Sequence, residues 1–212
     1  RNRAPSPSSR TPLLVVGGIV VVCILALVAV VVGSSGDDSD ETAAGVEQQR
    51  PVNLSGQPLV PLGSGADPAV GQPVPVVEGA EFDGTELTIG PGTGPALVTF
   101  LAHWCPHCQR EVPRLVEQFG GQDVVDGVQI VAVATGTDSQ APNYPPSVWL
   151  DDEGWIAPTL ADDESSTAGT AFGLAGFPYF VAIDGNGNVA ARASGELDEA
   201  QVDALLAAAR GS

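Results

Sequence analysis

Residues 96–119 read ALVTFLAHWCPHCQREVPRLVEQF, and the change of pattern inside this stretch decides the fold. Ala96 to Ala102 is short, almost wholly apolar and partly β-branched, the signature of a central strand buried on both faces. Further on, Val112, Leu115, Val116 and Phe119 recur at i, i+3, i+4 and i+7, which predicts an amphipathic helix over 106–119 that Gly120 and Gly121 end. Pro106 suits the first helical position, where its missing N–H would have had no intrahelical partner. Strand and helix are joined by His103-Trp104-Cys105-Pro106-His107-Cys108, an aromatic-flanked C-x-x-C.

That placement is the pattern of a redox-active dithiol. Cys105 falls at a helix N-terminus, where free backbone N–H groups and the positive end of the dipole favour a thiolate, so it is the expected nucleophile. Cys108 lies about one turn further in, positioned to attack a mixed disulfide at Cys105, and is the expected resolving cysteine. His107 can offer a hydrogen bond or positive charge to the Cys105 sulfur, which would stabilise the reduced form and make the pair more oxidising. The Trp104 ring can shield and position that sulfur or simply pack beside it. His103 reads as exposed polar surface and receives no role.

The same cysteines admit a second reading, a metal-binding or metallochaperone module that also uses His107. A structural zinc site draws on separated ligand pairs, whereas His103 and His107 are the only histidines and Cys23 is the only further cysteine. Haem attachment needs His directly after the second Cys, and Gln109 stands there. No metal is therefore expected, and no cofactor beyond the dithiol itself.

Around this motif the chain divides by composition. Leu13 to Val32 is 20 residues without a charge, long enough at about 1.5 Å per residue to cross the roughly 30 Å apolar layer of a membrane. It is expected to be an uncleaved transmembrane signal anchor, because a cleaved signal has a shorter apolar core. Arg1, Arg3 and Arg10 precede the run, while Asp37, Asp38, Asp40 and Glu41 follow it. Residues 1–12 then form a cytoplasmic tail, and the catalytic part lies outside the cell membrane on a single-pass anchor. Five of the 8 basic residues and all 26 acidic ones follow the run, a balance that disfavours nucleic acid as a partner. Residues 33–72, rich in Gly, Ser, Pro, Asp and Gln, read as a flexible linker. Only Cys105 and Cys108 lie beyond the anchor, so no structural disulfide framework competes for them.

From 73 to 212 the pattern alternates. Residues 82–87 suggest a small hairpin turn, 128–134 a second buried strand, and 147–154 and 167–173 short helices. Residues 179–183 and 189–193 form a strand pair across the turn Asp184 to Asn188. Asp198 with Gln201 should cap a final helix whose stripe is Val202, Leu205, Leu206 and Ala209.

This order of elements, with the dithiol after the first central strand, resembles the thioredoxin-like α/β fold: a central mixed sheet flanked by helices. VTFLAHWCPHCQREVPRL, FGLAGFPYFVAIDGNGNV and the single N-terminal anchor are most similar to membrane-anchored TlpA/ResA-like thiol-disulfide oxidoreductases with a redoxin-type domain. The resemblance implies a cis-proline at Pro178 packing on the dithiol, with Phe177 offering backbone hydrogen bonds to an extended substrate. It also implies partners: exported proteins bearing thiols or disulfides, and a membrane or extracytoplasmic thiol-redox protein. Two departures leave the direction of electron flow open. Thr99 stands six residues before Cys105, where the family often has an acidic or amide proton handler, so that task passes to water or Glu111. The Pro106-His107 pair is the one found in DsbA-type oxidases, near about −120 mV, rather than near the about −270 mV of thioredoxin.

Overall fold

A computed structural model describes residues 45–211. The expected tail (1–12), transmembrane run (13–32) and first part of the linker (33–44) lie outside the described residues. Chain order is β1 (Asn53–Ser55), β2 (Val76–Ala80), β3 (Glu86–Ile89), β4 (Ala96–Leu101), α1 (Pro106–Phe119), β5 (Val124–Val125) and β6 (Val128–Ala134). It continues with α2 (Pro146–Asp152), β7 (Thr159–Ala161), α3 (Thr167–Ala171), β8 (Tyr179–Ile183), β9 (Val189–Ser194) and α4 (Glu199–Arg210).

The main sheet runs β5-β6-β4-β8-β9, with β7 also on β6. β4 is parallel to β6 and antiparallel to β8, as a mixed thioredoxin-like sheet requires. Every residue of β4 is buried, and its pleat sends Leu97 and Leu101 to one face and Val98 and Phe100 to the other. On the first face α1 and α4 close a core of Val112, Leu115, Phe119, Val202, Leu205 and Leu206. Burying side chains of this size contributes about 1.5–3 kcal/mol each relative to exposure. The final helix is capped as its sequence predicts: the Asp198 side chain accepts from Gln201 N, and Gln201 Oε1 accepts from Asp198 N.

Opposite lies an aromatic cluster, with Phe100 ring centroids 5.4 Å from Phe172 and 5.6 Å from Tyr179. This face corrects the reading of residues 33–72 as a flexible linker, because 45–72 are built into the domain. β1 pairs with β2 in a three-stranded antiparallel sheet, Leu59 N–H donates to Ala171 O, and Leu59 and Ala69 are buried. Arg192 fastens the segment. Its Nε donates to Asp67 Oδ2 at 2.7 Å and its Nη1 to Val60 O at 2.9 Å and Phe172 O at 3.2 Å. Gly173 permits the close approach: its φ is +73°, and a Cβ there would meet Val60 O at 2.4 Å. Polar composition concealed this docking, since what holds the segment is mostly backbone and one distant arginine. The short β5 and β7 leave no pattern in the sequence either, because two and three residues are too few to show a period.

Candidate active site

Cys105 and Cys108 sit where β4 hands over to α1. Cys105 N–H donates to Ala102 O, a tight turn after the strand, and Cys105 then serves as the N-cap residue of α1, with Pro106 at the first helical position. Both cysteines are free thiols and both are buried. Cys108 is fully enclosed. Burial pushes its thiol well above the ordinary range, and the neighbouring Cys105 and Glu111 push the same way. Pro106 and His107 lie on the exposed outer turn between them.

The second half of the site comes from the strand paired with β4. Because Phe100 faces Tyr179 in the antiparallel register, the residues just before β8 emerge beside those just after β4. The Phe177–Pro178 peptide bond is cis, and Phe177 O lies 4.0 Å from Cys105 Sγ. Trp104 stands edge-on to the Phe177 ring, centroids 5.7 Å apart, and its Nε1 donates to Gly136 O at 2.7 Å. Gly136 has a φ of +63° and lies close beneath both rings.

His103 departs from the surface role that the sequence suggested. It is 2% exposed. Its Nδ1 is 2.7 Å from Pro142 O, which can only accept, and Asp138 N–H donates to its Nε2 at 3.2 Å. These partners assign a neutral ring protonated on Nδ1. The His103 carbonyl receives Gln109 Nε2 and Asn143 Nδ2. His103 thus pins the segment 136–145 against the dithiol, a role no local signal announced.

His107 also differs from expectation. Its Nδ1 lies 2.6 Å from Glu196 Oε1 and 2.8 Å from Arg110 Nη2, so the ring meets these two side chains rather than the cysteine sulfur. Glu196, which the sequence did not single out, also accepts from Arg110 Nε at 3.1 Å and lies 3.6 Å from Arg114 Nη1. Arg110 first and His107 second hold its carboxyl down at about 2.

Behind Cys108, Glu111 is fully buried in α1. Its Oε1 accepts from Leu197 N–H at 3.0 Å, while its Oε2 lies 3.3 Å from Arg114 and lacks a hydrogen-bond partner. Desolvation raises its pKa. Thr99, in β4 between Leu97 and Leu101 and therefore on the face that α1 covers, has a buried hydroxyl with no partner. Among the described residues no three His, Cys, Asp or Glu side chains gather as a metal-binding group. Its two histidines turn to different partners, His103 to the 136–145 segment and His107 to Glu196.

Several known proteins are similar to this chain. The thiol:disulfide interchange protein HelX of Rhodobacter capsulatus is 33% identical over 116 residues, which cover 52% of this chain and 60% of HelX. The match therefore spans less than two thirds of that relative's length. The thiol:disulfide interchange protein DsbE of Haemophilus influenzae is 29% identical over 133 residues, 61% of this chain and 68% of that protein. A thioredoxin-family thiol:disulfide interchange protein of Chlorobium tepidum superposes with a TM-score of 0.52 at 26% identity, covering 68% of this chain and 99% of its own. The Redoxin family model matches residues 69–206, a span holding the dithiol, the cis-proline segment and most of the capped final helix. By that match, over well more than half of its length, the chain belongs to the redoxin family.

Proposed function

We propose that this protein is a membrane-tethered, extracytoplasmic thiol-disulfide oxidoreductase that exchanges disulfides with exported proteins through Cys105 and Cys108. The observation that carries the reading is the pairing of a helix-capping Cys105 with Phe177 O at 4.0 Å, while Cys108 waits enclosed one turn behind. Redoxin membership and relatives that are thiol:disulfide interchange proteins support the chemistry. The uncharged run Leu13 to Val32 and its flanking charges support the tether and the outward placement.

In the reducing direction the Cys105 thiolate attacks one sulfur of a partner disulfide. A mixed disulfide forms, and the partner's other sulfur leaves as a thiolate and takes up a proton. Cys108 then gives up its proton and attacks Cys105 Sγ. An internal disulfide forms, the partner's second sulfur is released, and two electrons have passed to the partner. Oxidation of a partner dithiol is the same sequence reversed.

The enclosed Cys108 holds its proton tightly, so its attack needs an acceptor. Glu111 fills that role: it is close enough to raise the Cys108 pKa, has one oxygen that receives no hydrogen bond and is paired only with the half-exposed Arg114, and lines the cleft between α1 and α4 with Arg114, Leu197 and Glu199. The backbone before Pro178 would receive the extended partner segment, with Trp104 and Phe177 flanking the attacked sulfur. No cofactor is required beyond the dithiol. Its partners are then thiol- or disulfide-bearing exported proteins and a second redox protein that resets the pair.

In the full chain, Cys108→Ala should accumulate mixed disulfides with partner proteins at Cys105, seen as adducts that a reductant removes. Cys105→Ala should accumulate none. If the Cys108 variant traps nothing and the wild-type chain neither reduces nor oxidises a disulfide substrate, the reading is wrong.

A further inference from the structure

One carboxylate ties the rim of the dithiol together. Glu196 lies in the turn between β9 and α4, 89 residues from His107 in sequence. It receives His107 and Arg110 on the same oxygen, and Arg114 stands beside the other. The carboxylate is 27% exposed, against 59% for His107 and 54% for Arg110, so the anion is the better-covered member of the cluster. His107 lies between the two cysteines, and the Arg110 charge is near enough to interact with Cys105. The next residue, Leu197, donates its N–H to the buried Glu111, so the turn touches both the rim and the interior acid.

A cation near Cys105 stabilises its thiolate and hence the reduced dithiol, which raises the reduction potential. A cation closely paired with an anion acts at a distance more like a dipole, whose influence on the sulfur is weaker than that of a free charge. We propose that Glu196 is a positioning residue that sets the potential of the Cys105–Cys108 pair: it draws His107 and Arg110 into a shared ion pair and keeps their positive field from the sulfur. The dithiol is thereby less oxidising than its Pro106-His107 dipeptide would make it with an unpaired imidazolium. This deepens the proposed thiol-disulfide exchange and rests on it.

The test is equilibration of the full chain with glutathione. The protein disulfide takes two electrons and two protons from two glutathione thiols, giving the dithiol and one glutathione disulfide. At pH 6, where an ordinary imidazole is largely protonated, and at low salt, Glu196→Gln should shift the equilibrium about fivefold toward the protein dithiol, which is about 20 mV upward in potential. Glu196→Asp, which keeps the charge, should stay near the wild type. His107→Ala in the Glu196→Gln background should remove most of the shift, and about 1 M salt should bring wild type and Glu196→Gln together. An unchanged or lowered potential in Glu196→Gln, with exchange intact, overturns the role of Glu196 and leaves the exchange reading standing. A wild-type chain that never equilibrates with glutathione overturns both.

Discussion

Two histidines flank Cys105 at the same distance in sequence, His103 two residues before it and His107 two residues after, and the fold uses them in opposite ways. His103 belongs to the turn out of β4, which directs the ring inward, where both nitrogens are taken by the backbone of residues 138–142. His107 is on the first turn of α1 with its ring in solvent, facing one carboxylate and one guanidinium. The first is a structural pin whose two ring nitrogens both meet backbone groups. The second is an exposed ring beside Cys105, set against a carboxylate. What separates them is desolvation: a buried ring must have its hydrogen bonds satisfied by fixed groups, whereas an exposed one exchanges partners with water at little cost.

Breaking the buried side of this comparison should have the largest effect. His103→Ala leaves Asp138 N–H and Pro142 O without their partner and frees the segment that carries Gly136 against Trp104. A loss of about 3 kcal/mol is expected, measured as a lower urea midpoint. A loss no larger than that of a surface substitution would show that His103 is not a pin.

Glu111→Gln sharpens the comparison at the buried acid behind the dithiol. Slower exchange is expected, by about tenfold or more if Glu111 takes the Cys108 proton, read by stopped-flow thiol exchange. A pH effect accompanies it. Because the folded-state pKa of Glu111 is raised, its contribution to stability is fully present below the ordinary carboxylate pKa and is lost as pH rises through the folded value. The melting temperature of Glu111→Gln minus that of the wild type should therefore increase from acid toward neutral pH. A flat difference would mean that Glu111 titrates as it does in the unfolded chain.

His107→Ala should have the smallest effect on stability, within about 0.5 kcal/mol, since its ion pair is exposed. Its consequence for the reduction potential should appear once Glu196 is neutralised as well, in the Glu196→Gln background. If His107→Ala unfolds as easily as His103→Ala, the distinction between the two sides collapses.

The sequence carried the parts of the fold that repeat at short range. β4, β6, β8 and α1 were legible because buried strands run apolar and the helix keeps one stripe, and α4 because Asp198 and Gln201 form a local cap. The dithiol and Pro178 were legible as a motif and a resemblance. The inward turn of His103, the anchoring of residues 45–72 and the reach of Glu196 were not. Their contacts join residues 35 to 132 apart, such as Asp138 with His103, Arg192 with Val60 and Glu196 with His107. Nothing in a window of ten or twenty residues records which distant carbonyl will meet a ring nitrogen. The exposed-looking composition around His103 and across 45–72 concealed burial that is held by backbone partners.

The register of β4 against β8 has a consequence for how the molecule comes apart. Phe100 pairs with Tyr179, so the chain leaving β4 toward Cys105 and the chain entering β8 from Phe177 lie at the same end of two neighbouring central strands. In partial opening, short outer strands such as β5 and β7 part first, while the central pair exchanges its amide protons only when the whole domain opens. Amide exchange in β4 and β8 should therefore track global unfolding, so that fraying at β5 and β7 leaves the two strands behind the dithiol in place.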